Sequence, residues 1–279
     1  MRTADAAHGS AAEDRPAVDV DRYLARLGLP PDSIRSDIDG LTLLQHAHLA
    51  AVPFENLDIV FAGGVPHDRE AALTKIVDAG RGGWCFELNG AFGRLLEALG
   101  FDVSLLGAAV LLDGPSSILE HLALEVSGGH GNIEPHFVDV GFGDSAVRPL
   151  ALNRAGPQDG GNATFEFFGS PQGTTLAEHV DGIPAARLRF KRVAHDFDDF
   201  APVAASMQVD PDRHWSAKPF ATRLVDIETT DRVTLTADRL RVTRDDGSQT
   251  DRTVPRAQWD ATLGEWFAME RPGPWPDTR

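Results

Sequence analysis

The chain has 279 residues, 42% of them hydrophobic and 24% charged, a globular composition with neither the apolar excess of a membrane protein nor the polarity of a disordered one. Its 26 Lys and Arg against 42 Asp and Glu leave a formal charge of −16, which argues against a nucleic-acid partner because DNA would be repelled over most of the surface. The single cysteine, Cys85, excludes internal disulfides, thiolate zinc clusters and CxxC redox motifs, and makes the cytoplasm the natural compartment.

Residues 1–18 are rich in Ala, Asp and Glu, lack the apolar core of a signal peptide, and read as a flexible tail. The longest apolar stretch, Leu105 to Leu112, is too short to cross a bilayer, so no membrane partner is expected. Over residues 19–100 the apolar positions recur at helical spacing, as at Tyr23, Leu24 and Leu27 and again at Leu41, Leu43, Leu44, His48 and Leu49, with Pro30, Pro31 and Gly40 as breaks. This predicts a helical bundle. Over residues 101–205 the pattern changes to short alternating runs, Val103 to Leu112, His121 to Val126, Phe137 to Val140 and Arg187 to Val193, which predict an antiparallel sheet or barrel. Gly156 to Gly173, rich in Gly, Asn, Gln and Pro, reads as a long loop within it. Residues 206–279 resume with Phe220 to Asp226, Arg232 to Leu235 and Leu240 to Thr243, then an amphipathic ending at Trp259 to Phe267, a unit of strands plus a helix.

The chemistry concentrates at Arg81-Gly82-Gly83-Trp84-Cys85-Phe86-Glu87-Leu88-Asn89. Apolar or small residues at 85, 88, 91, 92, 95, 96 and 99 trace a buried helix face that stops at Gly100, which puts Cys85 in the first turn. There the free N–H groups and the positive dipole end favour a thiolate, and Gly82-Gly83 allow a sharp entry into the helix. The plain alternative is a small buried apolar residue. A nucleophilic cysteine needs a base and an orienting group. Of the 10 histidines, His46 and His48 point apart on one helix, His8 is in the tail and His130 is in a Gly-rich loop. His121 opens an alternating run in which Leu122, Leu124 and Val126 share the other face. Asp139, in Phe137 to Gly143, is a carboxylate among apolar residues and needs a partner. If Ser127 to Pro135 is a hairpin loop pairing Val126 with His136, Asp139 falls opposite Ala123 and diagonal to His121 on the same face, and a one-residue slip reverses this.

The stretch 81–89 resembles the nucleophile signature of the arylamine N-acetyltransferases. Val52-Pro53-Phe54-Glu55-Asn56-Leu57-Asp58 resembles that family's Pro-Phe-Glu-Asn segment, and Asp139-Val140-Gly141-Phe142-Gly143 its Asp-Val-Gly-Phe-Gly segment, with the His121 strand between. The match is specific from about Tyr23 to Leu150. It implies an α+β fold in which an N-terminal helical bundle, a central antiparallel β-barrel and a C-terminal α/β lid surround a cysteine-protease-like Cys-His-Asp core. It also implies a ping-pong enzyme in which Cys85 takes an acetyl group from acetyl-coenzyme A, with His121 as base and Asp139 orienting it. The acetyl group then passes to an arylamine, arylhydrazine or arylhydroxylamine. The resemblance further implies Phe54 and Phe142 as acceptor-pocket residues and Gly143 as a coenzyme neighbour, with no metal, acting as a monomer or weak homo-oligomer in xenobiotic metabolism. The chain departs from the family at Glu120, where Thr is common, and in the lid motif, present only as His214-Trp215-Ser216 and Lys218-Pro219-Phe220.

The basic run Arg187, Arg189, Lys191 and Arg192 offers a second way to meet coenzyme phosphates, since no P-loop or Rossmann glycine motif is present. Glu55 and Arg81 are expected to form a buried ion pair behind Cys85. Three other readings stand beside acetyl transfer. They are an amide synthase of the same superfamily closing a polyketide macrolactam, a thiol protease or transglutaminase-like enzyme using the same triad, and a binding protein with a decayed site.

Overall fold

The computed structural model describes residues 18–112, 116–210, 216 and 218–276. The expected tail, apart from Val18, lies outside them, as do His8, His214 and Trp215. The first helices begin where short carboxylates can cap them. Asp19 accepts from the Arg22 N–H to start α1 (Val20–Arg26), and Asp37 accepts from the Gly40 N–H at 3.0 Å to start α2 (Ile38–Ala51). A two-residue strand, β1 (Phe54–Glu55), precedes α3 (Leu57–Phe61). The helix α4 (Arg69–Leu73), capped by Asp68, runs on into one π turn, Thr74–Asp78, in which the Ala79 N–H reaches the Thr74 carbonyl. The central helix, α5 (Cys85–Ala98), is buried from Cys85 through Leu96 and ends at Gly100, which takes φ +90°. A helix buried on every side has to lie between layers, and α5 packs against both α4 and the sheet that follows.

That sheet has eight antiparallel strands: β2 (Phe101–Val110), β3 (His121–Gly128), β4 (Ile133–Val138), β5 (Leu150–Ala151), β6 (Gln158–Asp159), β7 (Thr164–Ser170), β8 (Gly173–Val180) and β9 (Ile183–His195). Their order is β5-β4-β3-β2-β9-β8-β7-β6, a nearly closed barrel. Its two ends are joined by one side chain, the Gln158 carboxamide accepting from the Ala151 N–H at 2.9 Å and donating to the Ala151 carbonyl at 3.0 Å. Leu106, Ala123, Phe137, Phe165, Leu176 and Phe190 fill the interior. Leu122, Leu124, Val126 and Val138 point the other way, into the core shared with α5, so both faces of β3 are covered. The expected long loop at Gly156 to Gly173 is corrected: β7 occupies its middle, with Phe165 turned into the barrel. Of the residues that suggested a loop, Gly160, Gly161, Asn162, Pro171 and Gln172 sit in the turns at its two ends, while Gln158, Gly169 and Gly173 lie in β6, β7 and β8.

After α6 (Ala201–Val209) comes a five-stranded sheet of order β1-β10-β11-β12-β13, in which β1 joins β10 (Ala221–Leu224), β11 (Arg232–Leu235), β12 (Arg239–Thr243) and β13 (Gln249–Thr253). One face, with Ala221, Val233, Leu235 and Leu240, packs on Trp259, Leu263 and Phe267 of the last helix, α7 (Arg256–Phe267). Phe54, Thr222 and Leu224 belong to strands that place residues on the opposite face, next to the helical core and the barrel. Among the described residues no helix is long and apolar enough to cross a membrane.

Candidate active site

Cys85 is the first residue of α5 and is 5% exposed. The sharp entry expected at Gly82-Gly83 is instead an extended crossing. Gly83 bridges Phe54 in parallel, its N–H donating to the Pro53 carbonyl at 3.2 Å while the Glu55 N–H donates to the Gly83 carbonyl at 2.8 Å. Small residues are required by proximity: a Cβ at 82 would strike the Pro53 carbonyl, and one at 83 would lie 2.7 Å from the Glu87 carboxylate. That carboxylate caps the helix by accepting from the Trp84 N–H at 3.2 Å.

Behind this crossing lies a buried charge cluster. Arg81 Nη2 donates to Glu55 Oε1 at 2.8 Å and to Asp58 Oδ1 at 3.2 Å, so the expected Glu55–Arg81 pair is present. Sequence reasoning missed the rest of the cluster. Lys75, in the π turn, reaches Asp58 Oδ2 at 2.6 Å, Glu87 Oε1 at 3.0 Å and Glu55 Oε1 at 3.7 Å. Burial drives the Glu87 carboxyl up to about 7, with Lys75 opposing and Glu55 reinforcing the rise. Burial alone would discharge Lys75, but Glu55, Glu87 and Asp58 together hold its pKa above the ordinary value.

The structure brings Cys85, His121 and Asp139 together. His121 Nε2 lies 2.7 Å from Asp139 Oδ2, and the same ring is close enough to the Cys85 side chain for the two to interact electrostatically. His121 and Asp139 are each 3% exposed. Burial disfavours the charged ring, but Asp139, by charge and hydrogen bond, and Cys85 outweigh it and lift His121 to about 10. The imidazole therefore carries its proton at neutral pH, next to the sulfur. The β3–β4 register does pair Val126 with His136, yet Asp139 is not within a strand: β4 ends at Val138 and the carboxylate turns on the first residue beyond it. Its other oxygen, Oδ1, accepts from the Gly141 N–H at 2.8 Å and from Asn89 Nδ2 at 2.9 Å. Asn89 was missed as a site residue. It follows Cys85 by four positions, one helical turn on the same buried face, where an uncompensated amide is costly. That polar residue in an apolar rhythm was the available signal.

Phe142 meets the His121 ring edge-on with centroids 5.4 Å apart, and Phe54 meets Phe220 at 5.3 Å. Gly143 links the two groups: it takes φ +87°, and a Cβ there would lie 2.6 Å from the Phe54 ring and 3.3 Å from Thr222 Cγ2. The Lys218 to Phe220 segment is tied to the Pro-Phe-Glu-Asn stretch through Asn56, whose amide donates to the Lys218 carbonyl and accepts from the Phe220 N–H, both at 2.9 Å. Glu120 accepts from the Ser116 hydroxyl at 2.6 Å. The basic run on β9 is divided between partners. Arg192 makes two bonds of 2.8 Å to Glu125, while Arg187 donates to the Asp144 carbonyl, approaches Glu178 at 3.4 Å and covers the Phe142 ring. Among the described residues the other histidines have local partners: His48 bonds Tyr23 at 3.1 Å in the helical core, and His46 the Thr229 carbonyl at 3.3 Å.

The chain is 36% identical over 176 residues to an arylamine N-acetyltransferase of Mycolicibacterium smegmatis, an alignment covering 60% of this chain and 62% of that relative. The arylamine N-acetyltransferase of Mycobacterium marinum, solved in complex with CoA, superimposes with a TM-score of 0.81 at 28% identity, covering 90% of this chain and 92% of that one. The Nocardia farcinica arylamine N-acetyltransferase gives 0.80 at 28% identity over 93% and 94%. The family model for N-acetyltransferase matches residues 37–272. The chain belongs to this family, whose relatives found here are arylamine N-acetyltransferases.

Proposed function

We propose that the chain transfers an acetyl group from acetyl-coenzyme A to aromatic amines, hydrazines or hydroxylamines, with Cys85 as carrier, His121 as base and acid, and Asp139 as the group that orients His121. The observation that carries this reading is His121 set beside the Cys85 side chain, with which it interacts electrostatically, and held by Asp139 at 2.7 Å. A protonated imidazole next to a cysteine at a helix start is the setting in which sulfur acts as a nucleophile. In the first half-reaction the Cys85 sulfur bonds to the acetyl carbonyl carbon, the bond from that carbon to the coenzyme sulfur breaks, and His121 gives its proton to the departing thiolate. In the second half, the amine nitrogen attacks the Cys85 thioester, His121 takes the proton that nitrogen sheds, and the cysteine sulfur leaves. His121 thus ends as it began, protonated against Asp139.

Phe54, Phe142 and Phe220 suit an aromatic acceptor, and Gly143, packed directly against Phe54 and Thr222, is the coenzyme neighbour of this reading. We read residues 19–100 as the unit bearing the nucleophile, 101–205 as the unit bearing His121 and Asp139, and 206–279 as the lid. The first two complete the triad within one subunit, so a monomer suffices. A lone cysteine that must stay reduced suits the cytoplasm. The test is to mix the protein with acetyl-coenzyme A without acceptor. The expected result is a mass gain of about 42 Da on Cys85, removed by adding an aniline. A protein that stays unmodified, and whose Cys85→Ala variant turns over as fast as wild type, would refute the reading.

A further inference from the structure

Cys85 has almost no room to shift at the start of α5. Its Cα faces Gly141, where a Cβ would lie 2.7 Å away, so the turn that follows Asp139 presses on the helix from one side. On the other side a Cβ at Gly83 would lie 2.7 Å from Glu87 Oε2 and 2.8 Å from Glu87 Cβ. The residue before the nucleophile is held at both ends of its backbone. The Trp84 N–H donates to Glu87 Oε2 at 3.2 Å, and the Trp84 carbonyl accepts from the Leu88 N–H at 2.9 Å. The Glu87 carboxylate is the one part of this frame that a side chain supplies, and a side chain keeps a single position only when its surroundings lock it.

Lys75 is that lock. Its Nζ donates to Glu87 Oε1 at 3.0 Å and to Oε2 at 3.2 Å, gripping both oxygens. Lys75 is itself anchored through the π turn in which it sits. Its carbonyl accepts from the Arg81 N–H at 3.1 Å, and the carbonyls of Ile76 and Gly80 accept from Arg26 Nε at 3.0 Å and Nη2 at 3.1 Å. The other charged groups of the cluster do not serve Glu87. Glu55 on β1 and Asp58 on α3 are anions like it, and Arg81 directs its ion pairs to those two. Among the described residues Lys75 is the cation that pairs with Glu87. Without it, a buried carboxylate facing two others would swing away or take a proton, and either change replaces the charged acceptor at Trp84 with a weaker one. We propose that Lys75 is a positioning residue for Cys85: by holding both oxygens of Glu87 it fixes the carboxylate that caps Trp84, and so sets where the first turn of α5 places the sulfur.

This inference rests on Cys85 being the nucleophile of the acetyl-transfer reading, and the experiment keeps the two apart because alkylation needs no acetyl donor. The second-order rate of Cys85 with iodoacetamide is measured at pH 8 for wild type, Lys75→Met, Glu87→Gln and the double variant, with melting temperatures to confirm that each is folded. Lys75→Met should lower the rate by about tenfold or more. Glu87→Gln keeps an acceptor for the Trp84 N–H and should lower it by about threefold, and adding Lys75→Met to that variant should cost about threefold at most, since the two residues act as one unit. A tenfold loss repeated in the Glu87→Gln background overturns the proposal. So does a loss that vanishes in an Asp58→Asn background, because Asp58, at 2.6 Å from Lys75 Nζ, would then be the partner that matters. If Lys75→Met does not fold, Glu87→Met, which removes the acceptor, should react about tenfold more slowly than Glu87→Gln, and equal rates overturn the proposal. A wild-type Cys85 inert to iodoacetamide overturns it as well. A Cys85 that alkylates readily but takes no acetyl group from acetyl-coenzyme A refutes the acetyl-transfer reading alone, and the variant rates then decide the role of Lys75.

Discussion

Asn89 holds Asp139 from the side opposite His121: its amide nitrogen donates to Asp139 Oδ1 at 2.9 Å while His121 meets Oδ2 at 2.7 Å. The same amide donates to the Leu122 carbonyl at 2.6 Å and accepts from the Val140 N–H at 3.0 Å. One side chain on α5 thereby fixes the strand of the histidine and the turn of the aspartate relative to the helix that carries the sulfur. Asn89→Leu should lower kcat/KM by about 10- to 100-fold and destabilise by about 2–4 kcal/mol, from stranded backbone groups at Leu122 and Val140. Urea titration and steady-state kinetics measure the two. Full activity with normal stability would show that Asp139 needs no such hold.

His121 sets an alkaline limit on stability. Its folded pKa, about 10, lies above the ordinary 6.5, so the folded state binds the extra proton. The stabilisation is complete below about pH 6.5 and is lost as pH rises through about 10. Asp139→Asn removes the main partner of the charged ring. The melting-temperature lead of wild type over this variant should therefore be large at pH 6 and small at pH 10.5. An equal lead at both values would contradict the charged-ring assignment.

The carboxyl of Glu87 works in the opposite pH window. Raised from 4.5 to about 7 by burial, it keeps its proton in the folded state after the unfolded chain has lost it, so stability falls as pH rises from about 4.5 to 7, by up to about 3 kcal/mol. Glu87→Gln keeps an acceptor for the Trp84 N–H and should flatten this slope, leaving the variant at least as stable as wild type at pH 8. Chemical denaturation at pH 5 and pH 8 reads the difference.

Arg81→Gln, in the same cluster, leaves Glu55, a side chain with no solvent exposure, with Lys75 at 3.7 Å as its remaining cation. The cost should be about 3 kcal/mol, as for other buried pairs broken on one side. Activity should fall in step with the folded fraction. An unchanged melting temperature with activity gone would instead place Arg81 in the chemistry.

Gly143→Ala tests the close packing of this turn on Phe54 and Thr222. The added methyl would meet the Phe54 ring at 2.6 Å on a backbone at φ +87°, a conformation an alanine resists by about 1 kcal/mol or more. Acetylation of Cys85 by acetyl-coenzyme A should slow by about tenfold or more while iodoacetamide, a smaller reagent, still alkylates it. Equal slowing of both reagents would mean that the sulfur itself had moved.

Local periodicity carried much of the fold. The apolar rhythm from Cys85 to Leu99 marks α5, and alternation marks β2, β3 and β11 because each of those strands has a face in a core. β13 gave no such signal, since every residue from Gln249 to Thr253 is exposed and the strand exists only by pairing with β12. The middle of β7 was hidden by its turn residues. At the site, Cys85, His121 and Asp139 were legible as chemistry that buried positions must justify. Lys75, Asp58 and Glu87 were not, because their meeting depends on a π turn and on helix packing that no short spacing encodes.

The barrel closes through Gln158, whose carboxamide occupies both the N–H and the carbonyl of Ala151. Strands β5 and β6, the two rims, are only two residues long, so the seam presents no ladder of open amides on which a neighbouring chain could extend the sheet. The same economy makes the seam the first gap to widen when the protein breathes: amide hydrogens at Ala151 and Leu152 should exchange well before those of β2 and β3, and the barrel should come apart as a splayed ribbon with its hinge on the far wall.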